Sequence, residues 1–293
     1  MVAALPRIIQ LKLEQTLGQW QHWQIPLGER PTVVKLLGDG HSNHSVHVVS
    51  GDAGFVVRID GIIPSQHGLN RQVEWRGLRN AADAGLAPAP RYFNPDLGTL
   101  VCDFLPADTP RQQSPRELAA LARAIHQLPA VHHRLDLKAR VQRYEKQATT
   151  CDDPARTALL QWQGKIAELL EALEATRYQP VFCHNDLLSA NRLLSGGKLW
   201  ALDWEYCAMG SHWFELAVIS CGEGFSEEHL ADLAEAYLSR SPEDQEMKDF
   251  AAYRCVYRYL ELLWYLTRKV DSEQIDMDEK QAALEYELSA LDS

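Results

Sequence analysis

Short runs of valine and isoleucine mark the first hundred residues. Val33–Gly38, His44–Ser50 and Phe55–Ile59 read as strands, and Gly51-Asp52-Ala53-Gly54 turns the chain between the last two. A helical segment follows from Asn70 to Ala84, ended by Gly85 with Pro88 and Pro90 beyond it. Two further strands are expected at Arg91–Phe93 and Thr99–Phe104. Pro106 and Pro110 then mark a connector.

Beyond that connector the pattern turns helical. Ser114-Pro115-Arg116-Glu117 combines a capping box with proline at the first helical position, ahead of the apolar series Leu118, Leu121, Ile125 and Leu128. Asp153-Pro154 opens a long helix expected to run to about Thr176, and Ser226-Glu227-Glu228 and Ser241-Pro242-Glu243 open two more. A last helix is predicted over Asp276–Leu291, and MVAALPRIIQLKLEQTL at the start reads as an amphipathic helix of the mature protein. Val181–Phe182, Arg192–Leu194 and Leu199–Leu202 are strand-like, the last two joined by the tight turn Ser195-Gly196-Gly197-Lys198. The sum is an α+β chain: a small antiparallel sheet with one helix in residues 1–105, and a larger, mainly helical lobe in residues 106–293 that holds a small hairpin.

Composition narrows the partners. With 29 Lys+Arg against 40 Asp+Glu, the 293-residue chain carries a formal charge of −11. That balance disfavours sequence-independent nucleic-acid binding, which needs a basic surface, and disfavours docking on anionic lipid. No run approaches the roughly 18 apolar residues that cross a bilayer, so membrane insertion is not expected. The six cysteines (Cys102, Cys151, Cys183, Cys207, Cys221, Cys255) are scattered without a C-x-x-C pair, the pattern of reduced thiols in the cytoplasm.

The chemistry gathers around the hairpin. Cys183-His184-Asn185-Asp186-Leu187-Leu188-Ser189-Ala190-Asn191 contains H-x-D-x4-N, and Asp203 follows Asn191 by twelve residues across the turn. This spacing predicts that Asp186, Asn191 and Asp203 reach one end of two adjacent strands. Magnesium takes hard oxygen ligands, few of them from protein, so an Asn amide and one carboxylate suit it. The other carboxylate, Asp186, is then free to accept a hydroxyl proton.

HNDLLSAN followed by LDWE resembles the catalytic and metal-binding segments of the kinase-like phosphotransferases, a superfamily that includes aminoglycoside phosphotransferases, choline/ethanolamine kinases and thiamine kinases. Protein kinases share the plan with H-R-D…N and D-F-G. Here Asp203-Trp204-Glu205 stands in place of D-F-G and no A-P-E segment is recognisable, which favours the small-molecule branch. LDWEY, Gly210 and Phe214–Ala217 are similar to thiamine- and choline-kinase sequences. The resemblance spans about residues 33–217 and implies a bilobal, protein-kinase-like fold using ATP and Mg²⁺. It casts Asp186 as catalytic base, Asn191 and Asp203 as metal ligands, and His184 as a brace for the loop. It further places Gly38, Gly40, Ser42 and Asn43 in a loop over the ATP phosphates, Arg58 where protein kinases carry Lys, and Glu74 as the partner of Arg58. Asp103 and Leu105 fall in the strand and hinge that take adenine. Arg for Lys is a departure from protein kinases that the choline-kinase branch shares; the charge survives while the contact geometry changes.

An acceptor pocket is expected from the helical lobe. Within Ala251–Lys269, Tyr253, Tyr257, Glu261 and Trp264 lie at spacings of four, four and three, one face of a helix. Aromatic rings with a carboxylate suit a quaternary ammonium or thiazolium, and they equally suit core packing. Glu205 and Glu215 either add negative charge near the acceptor or are satisfied structurally. His41, His44 and His47 recur every third residue across a loop and strand, a spacing that gathers no single face, so they are read as packing or solvated residues. The expected partners are therefore ATP and a small hydroxylated metabolite. Competing readings are an aminoglycoside-type enzyme, a catalytically silent nucleotide-binding regulator of the same fold, and a metal-dependent phosphoesterase.

Overall fold

The computed structural model describes residues 5–39, 43–62, 64, 68–151, 155–176, 178–268 and 276–291. The chain divides into two compact units: Met1–Arg111 with Asn191–Tyr206, and Gln112–Ala190 with Cys207–Ser293.

In the first unit a five-stranded antiparallel sheet is built from β1 (Thr32–Asp39), β2 (Asn43–Ser50), β3 (Ala53–Asp60), β4 (Pro90–Asn94) and β5 (Thr99–Asp103), in the order β1-β2-β3-β5-β4. Helix α1 (Arg7–Gly18) sets Ile9, Leu13 and Leu17, spaced four apart, into a core with Val46, Val48, Phe55, Val57, Ile59 and Val101. Each such fully buried side chain contributes about 1.5–3 kcal/mol. Because strand side chains alternate, committing Phe55, Val57 and Ile59 to this core sends Arg58 to the opposite face of β3. Helix α2 (Arg71–Asp83) starts where the Asn70 side chain accepts from the N–H groups of Gln72 and Val73, and it stops before Gly85 at φ +70°.

The tight hairpin of β7 (Arg192–Ser195) and β8 (Lys198–Ala201) groups with this first unit, whereas the sequence pattern put it in the C-terminal lobe. Backbone bonds explain the grouping. Ala201 N–H donates to Leu86 O, Asp108 N–H donates to Leu194 O, and Gly197 N–H donates to Asp108 Oδ2, each at 2.8 Å. Gly196 and Gly197 turn the hairpin at φ +60° and +73°, the two positive values a two-residue turn requires.

The second unit is mainly helical: α3 (Pro115–His126), α4 (Leu137–Ala148), α5 (Ala155–Leu160), α6 (Gln163–Ala175), α7 (His212–Glu223), α8 (Glu227–Leu238), α9 (Asp244–Arg268) and α10 (Met277–Leu291), with β6 (Val181–Cys183) paired antiparallel to β9 (Ala208–Gly210). The capping box at Ser114 and Glu117 is present. The single helix expected to end near Thr176 is instead α5 and α6, because the chain tightens where Trp162 N–H reaches back to Leu159 O and Gly164 follows at once. Its expected opening, Asp153-Pro154, lies outside the described residues. Helices α4 and α7 went unrecognised in the sequence. In α7 every residue from Trp213 to Ser220 is buried, so no polar stripe reveals the period; its signals are the Ser211 cap and Gly224 in the left-handed region.

Gly197→Val forces a branched side chain into left-handed backbone. It is expected to lower the unfolding free energy by about 1–2 kcal/mol, read from the urea transition.

Candidate active site

Arg58, on the face of β3 opposite the apolar core, meets two acids at once. Its Nη1 lies 2.5 Å from Glu74 Oε1 and 2.6 Å from Asp203 Oδ1. Arg71, the first residue of α2, spreads its guanidinium over three carboxylates: Asp60 (2.7 and 3.1 Å), Glu74 (2.7 Å) and Glu205 (3.1 Å). Asn43 donates to Glu205 Oε2 at 3.0 Å and reaches Asp203 Oδ2 at 3.5 Å. Burial works to raise the Glu74 carboxyl, but Arg58 and Arg71 together hold it below its ordinary value. Of the two guanidiniums Glu205 contacts only Arg71 directly, and burial, with the charge of Asp203 adding, outweighs Arg58 and Arg71 and pushes its carboxyl up to about 7.

Four carboxylates thus surround two guanidiniums. Fully ionised, the cluster carries an excess of two negative charges, and Asp203 is its most exposed acid, with about 30% of its side chain accessible. That excess beside hard oxygen donors fits a divalent cation such as Mg²⁺. The backbone sets the donors in place. Leu202 N–H donates to Asn191 O at 2.8 Å across the mouth of the hairpin, and Asp203 takes φ +57° before Trp204 locks in, its indole N–H on Ala201 O.

The residues expected at the nucleotide divide. Arg58, Glu74 and Asn43 enter this cluster, and Arg71 and Asp60 join it without any sequence motif to mark them. The only local trace of Arg71 is its spacing of three from Glu74. Glu205, grouped above with the acceptor residues, is committed here because both Arg71 and Asn43 bind its Oε2. Gly38 lies in β1, while Gly40, Ser42 and His41 fall outside the described residues. Asp103 gives its carboxylate to Arg91 through two bonds (2.7 and 2.6 Å) and its N–H to Ala89 O; Leu105 lies beyond β5, after Phe104.

Within the second unit, the His184–Asp186 segment is held by α7. Both oxygens of Glu215, in the first turn of α7, accept backbone N–H groups: His184 at 2.6 Å and Asn185 at 3.0 Å. Asn185 sits at φ +63°, and Leu188 N–H donates to Asp186 O at 2.8 Å. Leu187 is fully buried, and Gly222 gives Leu188 room: a Cβ there would lie 2.6 Å from Leu188 Cδ2. His126 Nε2 lies 3.6 Å from Glu215 Oε2, and the adjacent Cys183 thiol is driven up by burial and then by the Glu215 charge. Buried His184 is tied to Glu215 through its backbone N–H, and these two bonds explain the acid in FELA.

Asp186, half-buried, shares its surroundings with α9. Burial raises the Tyr257 and Tyr265 hydroxyls, and the charges of Glu261 and Asp186 raise both further. Tyr253 and Tyr257 stand edge-on to the Phe214 ring at 6.4 and 6.3 Å and are buried. Glu261 and Trp264 are half-buried on the same helix, so this stripe divides into a packing half and a reachable half.

The fold is that of the kinase-like phosphotransferases. The choline kinase LicA from Streptococcus pneumoniae superposes with a TM-score of 0.74 at 18% identity over 97% of this chain and 100% of that one. A choline/ethanolamine kinase family protein from Mesorhizobium loti superposes at 0.71 with 22% identity over 96% and 99%. Residues 33–252 match the model of the Phosphotransferase enzyme family, and the chain belongs to that family. Among curated relatives, thiamine kinase from Salmonella heidelberg is 28% identical over 159 residues, 54% of each chain. Protein LicA from Haemophilus influenzae is 31% identical over 94 residues, 31% of this chain. The matches thus span about half and about a third (35%) of those two relatives' lengths. Among the described residues no helix is long and apolar enough to cross a membrane.

Glu215→Ala orphans two buried N–H groups at about 1–3 kcal/mol each. A loss of about 2–6 kcal/mol in chemical unfolding is expected, with Glu215→Gln retaining part of the stability.

Proposed function

We propose that the chain is an ATP- and Mg²⁺-dependent kinase that transfers the γ-phosphoryl group to a hydroxyl of a small cationic metabolite of the choline, ethanolamine or thiamine type. The observation that carries the reading is the acid-rich buried cluster that ends at Asp203, four carboxyl groups set against two guanidiniums. A stable fold gains nothing from an excess of buried acids alone, whereas a divalent metal bound with a nucleotide would supply the cation that such an excess accepts.

In this reading Asn191 and Asp203 would hold Mg²⁺, which when bound neutralises phosphate charge and orients the phosphates. Arg58 fixes the Asp203 carboxylate and anchors it to Glu74. Asp186 orients the acceptor hydroxyl and accepts its proton as the new O–P bond forms and the bond to the β-phosphate oxygen breaks, releasing ADP. Glu215 positions Asp186 by pinning the two residues before it. The half-buried Glu261 and Trp264 of α9, with Tyr265, supply carboxylate and ring faces for a cationic acceptor. The six free thiols and the demand for ATP suit the cytoplasm.

The test is Mg²⁺-dependent ADP release from ATP with choline, ethanolamine, thiamine, kanamycin or no acceptor. Stimulation by one of the first three is expected, and stimulation by kanamycin alone would replace this reading with the aminoglycoside one. Asp186→Asn should cut that turnover by about 100-fold or more while ATP still binds. Asp203→Ala should abolish the Mg²⁺-dependent part of nucleotide binding, measured by calorimetry with and without the metal. ATP binding without turnover under every acceptor would overturn the kinase reading in favour of a silent binder.

A further inference from the structure

The three half-buried groups of α9 read above as suited to an ammonium, Glu261, Trp264 and Tyr265, each meet a cation of the chain itself. Lys280 Nζ lies 2.9 Å from Glu261 Oε1 and 5.4 Å from the centre of the Tyr265 ring. Tyr265 donates its hydroxyl to the same Glu261 oxygen at 3.4 Å, so carboxylate and ring form one corner with the lysine ammonium inside it. Beside it, the Arg268 guanidinium covers the Trp264 ring at 5.7 Å.

The lysine is delivered to this corner by the packing of its helix. Leu284, Glu287 and Leu288 follow it at the spacings that share one face of α10; the two leucines are buried, and Glu287 takes Arg254 and Arg258 of α9 at 2.6 Å each. Asp276 caps the helix by accepting from Glu279 N–H at 2.9 Å, which places Lys280 in the first turn. A cation there opposes the helix dipole, so helix stability alone does not favour it at this position.

We propose that Lys280 is a specificity-determining residue: its ammonium occupies the corner of Glu261 and Tyr265, and a cationic acceptor binds there only by displacing it. The inference rests on the reading of α9 as the acceptor face. Occupancy by the tethered ammonium reduces the fraction of protein open to an external one, and apparent affinity falls by that fraction. An acceptor is then selected by how much it gains beyond a bare ammonium, for example through a quaternary head that fills the aromatic faces.

Choline serves as the probe, titrated calorimetrically into the full chain with ATP-free buffer, alongside steady-state ADP release. Lys280→Met and Lys280→Gln both remove the charge, and Lys280→Arg keeps it; thermal unfolding establishes that each variant is folded. Choline should bind about tenfold more tightly to the Met and Gln variants than to the wild type, and any change in turnover should appear in KM rather than kcat. Lys280→Arg should stay with the wild type. Unchanged or weaker choline binding in both uncharged variants, or no choline binding in any of the four proteins, overturns the proposal. Tighter choline binding with no acceptor-stimulated ADP release would leave the role of Lys280 standing and the kinase reading refuted. ADP release driven by another acceptor while choline ignores Lys280 would do the reverse.

Discussion

The guanidinium of Arg58, shared between Glu74 and Asp203, is the interaction on which the charged face of the first unit depends. An ion buried without a partner costs several kcal/mol, so each member of the cluster holds its place only while the others are present. Arg58 comes from β3, Glu74 and Arg71 from α2, and Asp203 and Glu205 from the turn after β8. Three segments far apart in the chain are therefore registered by directional charge contacts, which permit far less slippage than apolar packing. The apolar core on the other face of β3 supplies the stability that lets this face carry surplus charge.

The second unit positions the Asp186 carboxylate by another principle. Asp186 is held through its neighbours, whose N–H groups converge on Glu215, while Leu187 is sealed in the core and leaves the acid at the surface of the loop. Asn185 and Asp203 share one backbone peculiarity: both are non-glycine residues in the left-handed region, at φ +63° and +57°. Such a conformation costs of the order of 1 kcal/mol or more and persists only where the surroundings over-determine it. At Asn185 two bonds to Glu215 do so; at Asp203 the Arg58 contact and the Trp204 anchor do.

Much of this was legible in the chain. Valine-rich alternation located the strands and the Ser-Gly-Gly-Lys turn located the hairpin, because each signal is local; H-x-D-x4-N with a later Asp marked the segment to which the proposed chemistry is assigned. What stayed hidden is tertiary. Nothing near Arg71 announces that it will meet Asp60, Glu74 and Glu205, and Glu205 reads as an acceptor acid until its neighbours are known. Helix α7 was invisible because burial on all sides erases the amphipathic period. The aromatic stripe of α9 was correctly phased as a helix face, but its occupation by Lys280 depends on a helix that arrives later in the chain.

The assignment of the β7–β8 hairpin to the first unit also bears on how the protein is made. A chain emerging from the ribosome finishes the five-stranded sheet by Asp103, yet the segment that supplies Asp203 and Glu205 appears only some hundred residues later. Until then Arg58 and Arg71 have one carboxylate partner fewer each, and the carbonyl of Leu86 awaits Ala201. The first unit thus remains a nascent, unfinished body while most of the first half of its neighbour is being synthesised. The same order makes residues 1–111 a poor stand-alone fragment: the piece of chain that completes it has been written into the middle of the other unit.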